Sequence, residues 1–382
     1  MKIAILTFPL RENYGGVLQC YALQTILQRM GHEVEVIKWS ASFVFSFRGV
    51  LKGIYKKLLS KISGKDEFVR VRLEAYIRHR RIIRFIKDKI IFTSEEYYYK
   101  NDLERLSDSD FDVFIVGSDQ VWRSLFMADS WIDLYFLSFL KMKDKKRIAY
   151  SASFGVDHKE YTDELVVRCG DLFSHFDAVS VREDSGLELI EEYHWKCKRD
   201  SIQTLDPAML LNKDDYIHLF HLNMEQYGIN LFAYLLDVQT EANRILEQIA
   251  LEKGLKIIRV QGSIEKSLGF RSLFALPSLS PVQWVEHIAS SHFVVTDSFH
   301  GCVYSILFHK PFIVVGNTVR GNARISSLLR LVQLEYRFVS SQEDFEQRKK
   351  ILLEPVDYRD VELILDEKRA MSLDFLNTAI NY

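Results

Sequence analysis

Cysteine is scarce in this 382-residue chain. There are four, Cys20, Cys169, Cys197 and Cys302, with no Cys-x-x-Cys pair. That scatter argues against a disulfide framework and a thiolate zinc site, and suits a reducing compartment. Excess charge is scarce too: 50 Lys and Arg stand against 52 Asp and Glu, a net charge of -2. A dedicated nucleic-acid binder is therefore not expected. No apolar run approaches the ~20 residues of a membrane span. The opening Met1-Lys-Ile-Ala-Ile-Leu-Thr-Phe8 is short and is followed by Pro9 and Arg11, so it reads as a strand rather than a signal peptide. The expectation is a cytoplasmic protein. G-x-G-x-x-G is missing, as are internal repeats, low-complexity segments and clusters of metal ligands, so neither a dinucleotide nor a metal is expected.

The apolar content of 48% is enough for real cores, and the length suggests two domains of ordinary size. Ile3 to Phe8 reads as a buried strand, Pro9 to Gly16 as a loop with two glycines, and Val17 to Met30 as a helix stopped by Gly31. With a strand from Val34 to Trp39, this is a β-loop-α-β unit of Rossmann type. Further strands are expected at Phe111–Val116, Arg147–Ala152, Ala178–Val181 and Ile202–Leu205. A new α/β alternation then begins: strands near 229–236, 255–260, 293–295 and 312–315, with helices between them, including one that starts at Pro281 behind the cap Ser280. The expected fold is α/β with two Rossmann-like domains facing across a cleft. One covers 1–210 with a basic helical insertion at about 48–105, the second covers 211–345, and helices at 346–382 close the chain.

His292-Phe-Val-Val-Thr-Asp-Ser-Phe-His300-Gly301 organises the second domain. A short apolar strand meets Asp297 and Ser298, which can cap a helix, and His300 falls in that helix's first turn. A helix N-terminus attracts anions, and a histidine there can meet one and move a proton. A buried helix start with a hydrogen-bonded histidine fits the same residues. In the first domain, Gly117-Ser-Asp-Gln-Val-Trp122 lies at a strand's carboxyl end, where open α/β sheets place ligands. Asp119 would be an acid or base there, or a loop cap. Arg182, at the end of another strand, would clamp an anion or pair with Glu183 or Asp184. Residues 48 to 89 hold 14 Lys and Arg against 4 Asp and Glu, interleaved with apolar residues. That pattern fits a solvated helical insertion or a peripheral contact with an anionic membrane.

Six motifs in order resemble the polysaccharide pyruvyl transferase family: Asn13-Tyr-Gly-Gly-Val-Leu-Gln-Cys-Tyr-Ala-Leu23, Gly117 to Trp122, Ala152-Ser-Phe-Gly155, Ser180-Val-Arg-Glu183, Leu205-Asp-Pro207, and Asp297 to Gly301 with Lys310-Pro-Phe312. The resemblance implies a GT-B-like fold. It also implies transfer of pyruvate from phosphoenolpyruvate to two hydroxyls of a glycan or lipid-linked sugar, giving a ketal and phosphate, in cell-surface polysaccharide biosynthesis such as capsule or exopolysaccharide. Under it, His300 would be the principal acid or base. Arg182 and Arg324 would bind the donor's anionic groups. Asp119 and Asn13 would contact the acceptor or shape the cleft, with Tyr14, Gly15, Ser118, Ser153, Ser298 and Asn322 as further substrate-binding candidates. No cofactor beyond the donor substrate is implied. A lipid-linked acceptor would place the protein at the inner face of the cytoplasmic membrane. A nucleotide-sugar glycosyltransferase and a non-catalytic glycan-binding protein are the rival readings of the same architecture.

Overall fold

The computed structural model describes residues 1–11, 13–39, 66–98, 100–126, 129–141, 144–223, 229–237, 240–261, 278–317 and 321–382. The 48–65 part of the basic segment, with Lys56 and Lys57, lies outside them.

Two all-parallel sheets form the frame. The first contains β1 (Lys2–Leu6), β2 (Glu33–Trp39), β3 (Phe92–Tyr97), β4 (Val113–Val116), β5 (Lys146–Ala152), β6 (Ala178–Val181) and β7 (Ile202–Gln203). Their order is β3-β2-β1-β4-β5-β6-β7. The second contains β8 (Asn230–Leu235), β9 (Lys256–Gln261), β10 (Phe293–Thr296), β11 (Phe312–Val315) and β12 (Phe338–Val339), in the order β12-β11-β10-β8-β9. Val113-Phe-Ile-Val116, Phe293-Val-Val-Thr296 and Phe312-Ile-Val-Val315 are buried at every residue. Helices cover both faces of such a sheet, which is why these strands read as unbroken apolar runs.

The strand order reverses between β1 and β4 in one sheet and between β8 and β10 in the other. Ligands of open α/β sheets sit outside the carboxyl ends of the strands at such points. The helices α1 (Tyr14–Arg29), α2 (Asp66–Lys89), α3 (Asp163–Phe173), α4 (Asp184–Glu192), α5 (Lys213–Phe220), α6 (Thr240–Lys253), α7 (Pro281–Ser290), α8 (Phe299–Leu307), α9 (Ala323–Leu331), α10 (Gln342–Leu353) and α11 (Arg359–Asn381) complete the frame. One buried apolar cluster runs from β1 and α1 through α7 and α8 to α11, so the two sheets share a core. The last helix returns to the first sheet. Phe375 meets Tyr150 with ring centroids 6.2 Å apart, and Ser372 accepts the Leu205 N–H at 3.0 Å.

The structure departs from the sequence reading in three places. First, α1 begins at Tyr14, so Gly15 and Gly16 belong to its first turn rather than to a loop. Second, the span expected to be a helical insertion also contains β3, a polar edge strand whose Thr93, Glu95 and Glu96 hid it from an apolar pattern. Third, α5 is a helix absent from the expected elements, started by a capping box in which Asn212 accepts the Asp215 N–H and Asp215 accepts the Asn212 N–H. Among the described residues no helix is long and apolar enough to cross a membrane.

Candidate active site

The carboxyl ends of the two sheets meet at His300. Ser298 caps α8, its side chain accepting the Gly301 N–H, and so places His300 in the first turn. From the other half, α1 brings Gly15 against the imidazole. A Cβ on Gly15 would lie 2.0 Å from His300 Nδ1, so only glycine admits the ring. His300 is buried. Its Nε2 stands 3.7 Å from Asp206 Oδ2, an ion-pair distance too long for a hydrogen bond, and it has no hydrogen-bond partner among the described residues.

Asp206 connects the histidine to an arginine. Its Oδ2 accepts from Arg182 Nη1 at 2.9 Å, and its Oδ1 accepts the Ala208 N–H at 2.9 Å. Burial would push this carboxyl up, but His300, Arg182 and the Ala208 N–H together hold it well below the usual carboxylate range. Arg182 is 5% exposed. Two further carboxylates stand at ion-pair distance, Asp119 at 3.7 Å from Nη2 and Glu183 at 3.8 Å from Nε, and neither nitrogen has a hydrogen bond among the described residues. Of the two acidic neighbours considered as ion-pair partners, Glu183 stands at 3.8 Å, while Asp184 binds Arg330 at 2.6 Å.

Phe299, beside His300, orders two cations. Its ring centre is 4.3 Å from the Arg182 guanidinium and 5.9 Å from that of Arg324. Arg324 enters from the first turn of α9, behind Asn322. Burial, then repulsion from Arg182, pushes its guanidinium down to about 10, against partial relief from Asp119 and Glu183. Arg123, unnoticed in the sequence, is a third buried guanidinium here; it donates to Gln120 Oε1 at 3.2 Å and pairs with Glu160 at 3.4 Å. The loops that bring these groups together touch at two glycines with positive φ, Gly155 (+75°) and Gly321 (+78°). A Cβ on Gly321 would sit 2.9 Å from the Gly155 carbonyl oxygen.

The other candidates divide. Asp119 sits at the end of β4 with φ of 71° and accepts its neighbour Gln120's N–H at 2.9 Å, with its carboxylate toward Gly16. Asn13 is exposed at the start of α1 and gives that helix no side-chain cap; its side chain and the Asp119 carboxylate both approach Gly16. The hydroxyls of Tyr14, Ser118 and Ser153 have partners within the protein. The Tyr14 hydroxyl donates to the Leu279 carbonyl at 3.1 Å while its ring stacks on Trp284 at 5.5 Å. Ser118 donates to the Ser151 carbonyl at 2.7 Å, and Ser153 to Glu183 Oε1 at 2.8 Å, both fully buried. Each has its hydroxyl engaged in holding a loop. Asn322 accepts the Asn317 N–H at 2.9 Å and shapes the turn before Arg324. Asp297 likewise serves the loops, accepting the Leu236 N–H at 2.6 Å and the Asn317 amide at 2.9 Å, with burial pushing its carboxyl up.

The family model described as Polysaccharide pyruvyl transferase matches residues 13–318. No curated protein matches the chain. Solved structures similar in fold include a candidate UDP-N-acetylglucosamine 2-epimerase from Listeria monocytogenes, with 10% identity, covering 96% of this chain and 90% of that one, at a TM-score of 0.54. The UDP co-structure of MnaA from S. aureus covers 96% and 90% at 12% identity and a TM-score of 0.49. UDP-GlcNAc 2-epimerase from Neisseria meningitidis, bound to UDP-GlcNAc, covers 99% and 100% at 8% identity and a TM-score of 0.48. At these identities the likeness concerns the fold, two Rossmann-like halves in the GT-B manner.

Proposed function

Because this chain belongs to the polysaccharide pyruvyl transferase family, we propose that it moves pyruvate from phosphoenolpyruvate to two hydroxyls of one glycan sugar, forming a ketal in cell-surface polysaccharide synthesis. One observation carries the reading. Among the described residues, two donor nitrogens of the buried Arg182, Nε and Nη2, make no hydrogen bond, and neither does Nε2 of the neighbouring His300; a second buried guanidinium, Arg324, stands beside them. Buried donors without partners are costly, and a compact dianion with a carboxylate would satisfy them.

In this scheme Arg182 and Arg324 hold the phosphate and carboxylate of the donor. The methylene carbon takes a proton, using the C=C pair to form a C–H bond, and the adjacent carbon becomes oxocarbenium-like. One sugar hydroxyl adds there and loses its proton. Phosphate departs with the C–O pair, and the second hydroxyl closes the ring with loss of its own proton. His300 handles protons at this centre. Asp119, with Asn13 at the mouth of α1, faces the acceptor. A lipid-linked acceptor would give the basic helix α2 a use, holding the enzyme against anionic lipid.

Thermal shift tests the donor directly. Phosphoenolpyruvate should raise the midpoint and a nucleoside diphosphate should not; the opposite pattern would favour sugar transfer from a nucleotide donor.

A further inference from the structure

Helix α2 of the first half lies against the start of α7 in the second, and a groove of about 420 Å³ opens between them. Its lining combines the apolar side chains of Phe85 and Val282 with three exposed cations, Arg81, Arg84 and Lys89; Asp88 is the carboxylate among these lining residues. The pattern of α2 produces this surface. Ile82, Phe85 and Ile86 fall at i, i+3 and i+4 and are buried, so the cations between them stay outside. Residues 78–89 hold six Lys and Arg, at 78, 80, 81, 84, 87 and 89, against one Asp.

The helix end that meets α2 is already closed: Ser280 accepts the Gln283 N–H and Gln283 accepts the Ser280 N–H, both at 3.1 Å. Attraction for an anion therefore comes from the α2 side chains. Two of them are held in place, Arg81 by donating to Gln283 Oε1 at 3.2 Å and Arg84 by pairing with Asp88 at 3.4 Å. The groove also borders the cleft. Leu279, just before Ser280, accepts the Tyr14 hydroxyl at 3.1 Å, and the next residue after Tyr14 is Gly15, on which the His300 ring rests.

We propose that this groove holds the phosphate and the first hydrocarbon units of a lipid-linked acceptor, so that the sugar it carries reaches the cleft past Tyr14. A free phosphate would use the cations and leave the apolar side chains unused. An uncharged apolar partner would cover cations that it cannot pair, which is costly. A phosphorylated amphiphile uses both, and the exposed Arg80 and Lys87 of the same helix suit the anionic surface from which it would come. What happens to the sugar rests on the pyruvyl-transfer reading; the chemistry of the groove does not.

Calorimetric titration of the whole chain with dodecyl phosphate, kept below the concentration at which it forms micelles, tests this with neither sugar nor donor. The wild-type chain should take up one molecule, at least about 10-fold more tightly than ethyl phosphate, because several methylenes are buried. Arg84→Gln/Lys89→Gln should weaken dodecyl phosphate at least about 10-fold and leave the melting shift given by phosphoenolpyruvate unchanged. Equal affinity for the two phosphates would make this a phosphate site only and overturn the lipid. So would unchanged binding in the double variant, or the absence of saturable binding. A wild-type dimer that the double variant separates would give the groove to a second copy and overturn it equally. If dodecyl phosphate binds and phosphoenolpyruvate does not, the proposed function falls and the groove stands; the reverse result removes the groove alone.

Discussion

The His300 imidazole rests on Gly15, a residue of the other half, with no room for a methyl group between them: a Cβ there would lie 2.0 Å from Nδ1. The glycine in Asn13-Tyr-Gly-Gly is therefore a seat for the histidine as well as part of a helix start. Gly15→Ala leaves α1 able to form, since alanine favours helix, but drives the ring out of place. Turnover should fall by about 10²-fold or more, the scale of a lost general acid, while the melting temperature drops only modestly. A Gly15→Ala enzyme with wild-type kcat would show that the ring has another place to go.

Arg182 and Arg324 share the Phe299 ring, and Arg182 also binds the buried Asp206 carboxylate at 2.9 Å. Arg182→Ala leaves Asp206 buried without its 2.9 Å partner, so it should cost about 3–5 kcal/mol of stability as well as donor binding. Arg324→Ala removes a guanidinium already pushed down by burial and by Arg182. It should weaken the apparent donor affinity by roughly 10- to 150-fold, the range of a hydrogen bond to a charged group. An unchanged apparent donor affinity in Arg324→Ala would contradict this role.

The frame of the protein was legible because parallel strands buried on both faces must be apolar along their whole length. Val113–Val116, Ala178–Val181, Phe293–Thr296 and Phe312–Val315 all sit where an apolar run ends in small or polar residues. Ser280 with Pro281 marked α7 to the residue, because capping is local chemistry. The edge strand β3 escaped because an edge has an exposed side and tolerates Glu95 and Glu96. At the site, His300, Arg182 and Arg324 stood out because a titratable or cationic residue at a strand end or helix start is unusual. Asp206 and Arg123 did not. One lies in the motif Leu205-Asp-Pro207 and the other follows Trp122, and neither local pattern records the partners that the folded loops bring to them, Arg182 for Asp206 and Glu160 for Arg123. Tyr14, Ser118 and Ser153 lie in the right motifs, yet their hydroxyls point into the loops they brace, and no local pattern records that direction.

Acid should unfold the chain partly through Asp206. Its folded carboxyl is held below the unfolded value of about 3.9, so its contribution is fully present above that pH and is lost as pH falls below it toward the folded value. Asp206→Asn should therefore melt lower than wild type at pH 7, with the gap closing as pH drops below about 4. A gap that stays constant with pH would show that the charge contributes nothing.

Lys310 has the reverse sign. Burial, helped by Lys213, lowers its amine to about 8, below the unfolded value of about 10.4. The folded state therefore opposes the charge below pH 8, and stability from this site rises as pH climbs from about 8 toward 10.4. Lys310→Met should raise the melting temperature at pH 7 and lose that advantage near pH 10.5. No gain at pH 7 would mean the amine is well solvated.

The exposed basic residues of α2, Arg80, Arg81, Arg84 and Lys87 among them, should bring the enzyme down with anionic vesicles at low salt. Replacing those four with glutamine should release it, without changing donor binding in solution. Equal sedimentation with neutral and anionic vesicles would end the membrane role for this helix.

The central claim is donor chemistry at His300, and acceptor-dependent release of phosphate from phosphoenolpyruvate measures it most directly. Across a panel of lipid-linked and free sugars, the wild-type chain should release phosphate with at least one acceptor and attach a pyruvate ketal to it. His300→Ala, still folded, should lose at least about 10²-fold of that rate. Phosphate release at the wild-type rate by His300→Ala, or none with any acceptor that the wild-type protein binds, would contradict the account.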